Sequence, residues 1–200
     1  TISVSAFLLN HSSDLDLTPL ILFLHGASLR GTDMNRVLRY GSLDAVKMGL
    51  EVPALIVAPQ NPKGPWNPQK LNDILEWMEK HYVYNRWRVY VVGMSLGGYG
   101  TLDFVGTYPE KIAAAIALCG GATIKDYRKM GTLPLWIIHG TADRSVKIEE
   151  SQKVVEGMKK AGVAQRLRYE WIKGASHGDL ARYFYLSDTY DWLFMHTLRS

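Results

Sequence analysis

The chain has a single cysteine, Cys119, so no internal disulfide can form. That residue sits in the apolar run Ala113–Cys119 and reads as a small buried hydrophobe. No stretch approaches the roughly 18 apolar residues that span a bilayer, so no membrane span is expected. Arginine-rich runs and aromatic–basic ladders are also missing. The net charge of +4 is spread over scattered residues such as Lys63, Arg86, Lys159 and Arg166, which excludes nucleic acid as the expected partner. There is no H-E-x-x-H and no paired-cysteine spacing, so neither a metal nor a cofactor is expected. Internal repeats, low-complexity tracts and linkers are absent, and residues 1–200 read as one domain. The chain begins at Thr1 without an initiator methionine or a signal-peptide pattern, and reads as a mature or trimmed product. The expectation is a soluble protein, cytoplasmic or, after removal of a signal peptide, periplasmic or secreted. A monomer or homodimer is expected.

What is present is an alternation of short β-rich runs with helical stretches. That pattern predicts an α/β fold with a mainly parallel central sheet. The predicted strands are Ser3–Leu9, Leu20–His25, Ala54–Ala58, Arg88–Val92, Ala113–Leu118, Leu133–His139 and Arg166–Ile172. Several are continuous apolar runs, as strands buried on both faces require. The predicted helices are Met34–Lys47, Pro68–Tyr82, Gly98–Tyr108, Glu149–Ala161 and Leu180–Leu198. In the second, Leu71, Ile74, Leu75 and Met78 repeat at i, i+3, i+4 and i+7 behind an Asn67-Pro68 start.

One run carries chemistry. Gly93-Met94-Ser95-Leu96-Gly97-Gly98 follows the apolar Val89–Val92 and opens a helix. A sharp strand-to-helix turn lifts a serine hydroxyl to the top of a sheet, where a base can reach it. The turn strains the serine backbone, and its flanking positions must be small. Gly93, Gly97 and Gly98 meet that demand. The bland alternative is a glycine-rich turn without chemistry, so Ser95 needs partners.

A nucleophilic serine needs a base, an orienting carboxylate and oxyanion donors. Such groups gather at the carboxyl ends of parallel strands. After elbows of this kind the acid and then the histidine follow in the chain. His177 lies in the small-residue loop Lys173–Asp179 after the last strand. Asp143 lies just past the strand Leu133–His139. His139 precedes the acid, and His196 falls in the last helix. Glu149 and Glu150 suit a helix start, and Asp179 and Asp188 follow the histidine. The bland readings are a surface-loop histidine for His177 and a turn-forming aspartate for Asp143. For the oxyanion, the residue after the nucleophile supplies the Leu96 amide, and the strand ending in His25-Gly26 supplies the Ala27 amide. His25 itself reads as a brace for that loop.

These residues resemble the serine esterases of the α/β-hydrolase superfamily, in particular the phospholipase/carboxylesterase and dienelactone-hydrolase-like branch. The resemblance rests on PLILFLHGASLRGTD (19–33), APQNPKGPW (58–66), VVGMSLGGYGTLDFVGTYPEKIAAAIALCGG (91–121), LPLWIIHGTADRSV (133–146) and GASHGD (174–179), in the order of that family. It implies the α/β-hydrolase fold, a Ser95–Asp143–His177 triad and Ala27 and Leu96 as oxyanion donors. It also implies that residues 30–33 line one side of the site, and that Ser28 and Trp66 contact substrate. A hydrophobic plug beneath the loop is the equal alternative for Trp66. Asp103 reads as a helix or surface residue.

The chain departs from that family in two ways. The segment before Pro19 is short, so the usual eight-stranded sheet is expected to be shortened there. Only Gly120–Thr132 separate two central strands, which leaves no residues for a large lid. The expected activity is hydrolysis of carboxylic esters of short acyl, acetyl or feruloyl type, on small or carbohydrate-linked substrates. Two competing readings are a small prolyl-oligopeptidase-like peptidase and a non-catalytic scaffold that binds a ligand. A cysteine nucleophile, as in true dienelactone hydrolases, is excluded at the elbow, where the residue is Ser95.

Overall fold

The computed structural model describes residues 4–7 and 18–198. Their frame is a seven-stranded sheet in the order β1-β3-β2-β4-β5-β6-β7. The strands are β1 (Val4–Phe7), β2 (Leu20–Leu24), β3 (Leu55–Pro59), β4 (Val89–Met94), β5 (Ala114–Leu118), β6 (Leu135–Gly140) and β7 (Leu167–Ile172). β1 runs antiparallel to β3, and the other six strands are parallel. All seven expected strands are present, with ends shifted by a residue or two. Ser3, Leu8 and Leu9, expected in the first, lie outside the described residues.

Strands β2 to β6 are buried along their whole length, as their continuous apolar sequences require. Alternate residues face opposite ways. Leu20, Leu22 and Leu24 join a core with α2 (Pro68–His81), α3 (Leu96–Thr107) and α4 (Ile148–Lys160). Ile21 and Phe23 join a second core with α1 (Ser42–Lys47) and α5 (Ser187–Phe194). Each fully buried Leu or Ile contributes roughly 1.5–3 kcal/mol over an exposed one. In α2 the Asn67 side chain accepts from the Lys70 amide, and Leu71, Ile74, Leu75 and Met78 are buried, as the spacing predicts.

Two expected helices are broken. The stretch Met34–Lys47 is a 3₁₀ turn over Met34–Leu38 followed by α1. The break is Gly41, at φ 102°, whose missing side chain leaves room for the Phe23 ring. The stretch Leu180–Leu198 is a 3₁₀ segment, Gly178–Tyr185, then α5, with Leu186 extended between them. Side chains of α5 replace helical amides there. The Thr189 hydroxyl donates to the Tyr183 carbonyl, and the Tyr190 hydroxyl to that of Phe184. Periodicity shows an apolar face but not such a change of direction.

The strand order places the site. The chain leaves β2 toward β3 and returns on the other side of β2 as β4. Loops from neighbouring strands diverge at such a switch point and leave a crevice. The loop after β2 and the elbow after β4 therefore stand side by side. The contact between them is close. A Cβ on Gly97 would lie 1.9 Å from the Leu24 carbonyl oxygen, and one on Gly93 would lie 2.3 Å from that of Gly97. Between β5 and β6 only a short loop with one 3₁₀ turn (Arg128–Thr132) intervenes, and no lid is built there.

Gly97→Ala should cost about 3 kcal/mol or more in urea unfolding, because backbone must move to admit the methyl. Gly178→Ala is the control. Nothing lies within 4 Å of its Cβ position, and its effect should stay within about 0.5 kcal/mol. Equal stability of the two variants would contradict the tight seating of α3.

Candidate active site

Ser95 holds φ 60° and ψ −118° between β4 and α3. A non-glycine residue at positive φ carries strain of about 1–3 kcal/mol, sustained only when its surroundings fix it. Here the Ser95 amide donates to the Leu118 carbonyl (2.9 Å), and its carbonyl accepts from Tyr99 (3.0 Å). The Ser95 side chain makes no hydrogen bond with a described residue, and none joins it to His177.

The loops after β6 and β7 are laced together. Ala142 donates to the Ala175 carbonyl at 3.0 Å, and the Gly174 amide to the Thr141 hydroxyl at 2.9 Å. This lacing sets Asp143 against His177, with Nδ1 2.7 Å from Oδ2. The Asp143 side chain is wholly buried, and that of His177 is 22% exposed. Oδ1 of Asp143 accepts from the Ser145 and Val146 amides at 2.8 and 2.9 Å. Burial pushes the Asp143 carboxyl up, but His177 and the two amides outweigh it and hold its pKa below the ordinary 3.8. Two of the other candidate acids are spent elsewhere. Asp179 accepts from the Ser176 amide and hydroxyl, both at 2.7 Å, and Glu150 pairs with Tyr99 and Lys153.

Cys119 is closer to this site than its place in an apolar run implies. Its Sγ and ligand atoms of Asp143 and His177 lie within 4.8 Å of one another. Burial first, and then the Asp143 charge, push the thiol up to about 12, against a contact from the Ser95 amide. It stays a protonated thiol and a poor nucleophile. The same three residues carry metal-ligand atom types. As arranged, however, Asp143 and His177 bind each other, and the sulfur is neutral rather than an anionic ligand.

The loop after β2 is braced from below. His25 is fully buried, with Nδ1 2.7 Å from the Gly26 oxygen and Nε2 accepting from the Asn61 amide at 3.0 Å. Burial lowers its pKa, and it acts as the expected brace. The Trp66 indole donates to the His25 carbonyl at 3.0 Å and packs edge-on to its ring. Trp66 is 8% exposed and lies against Gly100 of α3. Ser28 is exposed on the loop, and its carbonyl accepts from Arg36 at 2.8 Å. Of residues 30–33, the Gly31 amide donates to Asn61 and Asp33 accepts from Asn35. The Gly26 amide is used by the Tyr40 hydroxyl at 2.8 Å. The amides of Ala27 and Leu96 have no acceptor among the described residues.

A cleft of about 370 Å³ runs along Pro59–Lys63, Trp66 and Lys70, and another of about 270 Å³ lies beside Tyr84 and Trp87. Neither is lined by Ser95, Asp143 or His177. Three contributions escape sequence reasoning. Tyr40 and Cys119 leave no motif. Asp103 is buried on α3 and not at the surface, where it accepts from the amides of Thr123 and Ile124 and the Thr123 hydroxyl, tying down the loop after β5. Among the described residues no helix is long and apolar enough to cross a membrane.

Six parallel strands with helices on both faces, and an elbow between β4 and α3, define the α/β-hydrolase fold. Residues 66–189 match the dienelactone hydrolase family, and the chain belongs to it. It is similar in structure to a thermostable esterase, at 26% identity and TM-score 0.82, over 98% of this chain and 59% of that one. The chain thus spans well under two thirds of that protein. It is also similar to the feruloyl esterase module from Clostridium thermocellum, at 15% identity and TM-score 0.67, over 94% of this chain and 82% of that one. A third likeness is to S-formylglutathione hydrolase from Staphylococcus aureus, at 18% identity and TM-score 0.68, over 95% and 91% of the two chains. No curated protein sequence matches it.

The depressed pKa of Asp143 gives a signed expectation. Its stabilising effect is complete above the unfolded value near 3.8 and is lost as pH falls through the lower folded value. Asp143→Asn should therefore unfold more easily than the parent at pH 6, with the gap closing in strong acid. A gap independent of pH between 2 and 6 would show that the charge of Asp143 contributes nothing to folding.

Proposed function

We propose that the chain hydrolyses carboxylic esters through an acyl-enzyme on Ser95. The observation that carries this reading is the His177–Asp143 hydrogen bond, 2.7 Å long, beside a serine held at φ 60°. Membership of the dienelactone hydrolase family and the likeness to esterases support it. In this reading His177 Nε2 takes the Ser95 proton as Oγ attacks the ester carbonyl. Asp143 holds Nδ1–H and stabilises the imidazolium. The oxyanion accepts from the free Ala27 and Leu96 amides, and Leu96 adds the positive end of α3. The alcohol leaves with the proton from His177, and water then cleaves the acyl-enzyme by the same route. The Ser95–His177 hydrogen bond closes when substrate is bound.

The short β5–β6 connection supports an open site and substrates with short acyl, acetyl or feruloyl groups, free or carried on carbohydrate. Ser28, exposed on the oxyanion loop, is placed to meet such a substrate. Trp66 is assigned to the scaffold side of that loop. We take residues 1–200 as one domain, acting as a monomer or homodimer.

Ser95→Ala should lower p-nitrophenyl acetate turnover by roughly 10⁴-fold or more, and should abolish labelling by a fluorophosphonate. Cys119→Ala should keep both activities within about tenfold, since the neutral thiol takes no covalent part. An adduct on Cys119, or full turnover by the Ser95 variant, would overturn the assignment. A series of p-nitrophenyl esters of rising acyl length, with methyl ferulate beside it, reads the substrate class.

A further inference from the structure

A second histidine stands on the other side of Asp143. His139 sits in β6, and its side chain has no solvent exposure. Its Nε2 is 2.9 Å from the Val146 carbonyl oxygen and 3.2 Å from Asp143 Oδ2. Its Nδ1 is 2.7 Å from the Ser151 hydroxyl on α4, which in turn lies 2.5 Å from the Gly120 carbonyl oxygen.

The partners dictate the protons. A carbonyl and a carboxylate only accept, so Nε2 carries hydrogen in whichever charge state the ring adopts. Burial favours the neutral ring and lowers its pKa, against the Val146 carbonyl and Asp143, which raise it. The Ser151 hydroxyl donates its one proton to the Gly120 carbonyl, and Nδ1 faces the hydroxyl oxygen at 2.7 Å. Asp143 Oδ2 is thus hydrogen-bonded to His177 at 2.7 Å and lies 3.2 Å from His139 Nε2, whose hydrogen bond goes to the Val146 carbonyl.

We propose that His139 is a positioning residue for the acid–base pair, its Nε2–H shared between the Val146 carbonyl at 2.9 Å and Asp143 Oδ2 at 3.2 Å, so that it sets how strongly that oxygen holds His177. The proposal rests on the reading of His177 as the base. Oδ1 is already fixed by two backbone amides, so His139 acts chiefly on Oδ2. Two donors on one oxygen divide its charge. With the His139 donor removed, Oδ2 draws the His177 imidazolium more strongly, and the base becomes harder to deprotonate. The titratable groups bearing on the ring are Asp143 and His177, and the neutral Cys119 thiol lies by the same carboxylate. Glu150, next to Ser151 on α4, is paired with Tyr99 and Lys153.

The test compares His139→Leu, which has no donor, with His139→Gln, which keeps an N–H. In the leucine variant kcat should fall about tenfold with KM little changed, and the acid limb of kcat/KM should move to higher pH. The glutamine variant should restore the parental limb. A purely structural histidine would lower the melting temperature and leave the limb where it was, which overturns the proposal. A readout that needs no variant is the long-range ¹H–¹⁵N spectrum of the parent protein. His139 Nε2 should be protonated from pH 6 to 8, and an unprotonated Nε2 overturns the proposal by itself. If the parent protein takes no fluorophosphonate on Ser95, the hydrolase reading fails instead, whichever tautomer His139 shows.

Discussion

The Leu24 carbonyl occupies the place where a side chain on residue 97 would begin, 1.9 Å from the Cβ position. That contact between the end of β2 and the first turn of α3 underlies the rest of the site. It can form only where residue 97 is glycine. It presses the helix start onto the sheet, and the elbow then has no relaxed path from strand to helix. Ser95 takes up the strain at φ 60°. The same contact brings the loop after β2 beside the helix start, which is what the proposed pairing of the Ala27 and Leu96 amides needs. Dense packing makes such an arrangement rigid, because neither backbone can yield without disturbing a buried strand.

Around that rigid centre the proposed mechanism requires one proton to stay mobile. Asp143 is buried yet accepts from His177 and two backbone amides, with His139 Nε2 3.2 Å away, so its charge is stable where an isolated buried carboxylate would be neutral. The histidines around the crevice have separate tasks. His25 accepts from Asn61 and braces a loop. His139 meets the carboxylate from within the core. His177 alone of the three is partly open to solvent, as its proposed role as base requires. The Cys119 thiol adds bulk without charge. A thiolate there would repel Asp143, and burial prevents it from forming.

Much of this is legible in the sequence because short-range chemistry dictates it. The elbow glycines are required by a local close approach, so they appear as a local motif. Continuous apolar runs report strands buried on both faces. Asp143 and His177 follow strands, and the order of groups at a sheet edge limits which acid and which histidine can meet. What is hidden depends on contacts distant in the chain. Gly41 breaks a helix because Phe23 lies over it, and nothing near residue 41 announces that ring. Leu186 interrupts another because Thr189 and Tyr190 supply the donors for carbonyls behind them. His139 is visible only as a histidine ending an apolar run. Its link to Asp143 needs the turn through residues 140–143 to fold back on the strand.

Trp66 shows how an aromatic near a site divides between scaffold and surface. Its indole N–H is consumed by the His25 carbonyl, and its ring fills the gap above Gly100, where a side chain would meet it at 2.8 Å. A ring so held is costly to move, because releasing it would leave the His25 carbonyl unpaired and open a void against α3. The tryptophan therefore acts on the site through the loop. His25 is fixed by Asn61 on one edge and by Trp66 on its carbonyl, and Gly26 is fixed by Tyr40. The next amide, that of Ala27, has no acceptor among the described residues. In the proposed mechanism the braces thus leave the Ala27 amide to meet the oxyanion, with Ser28 exposed next to it.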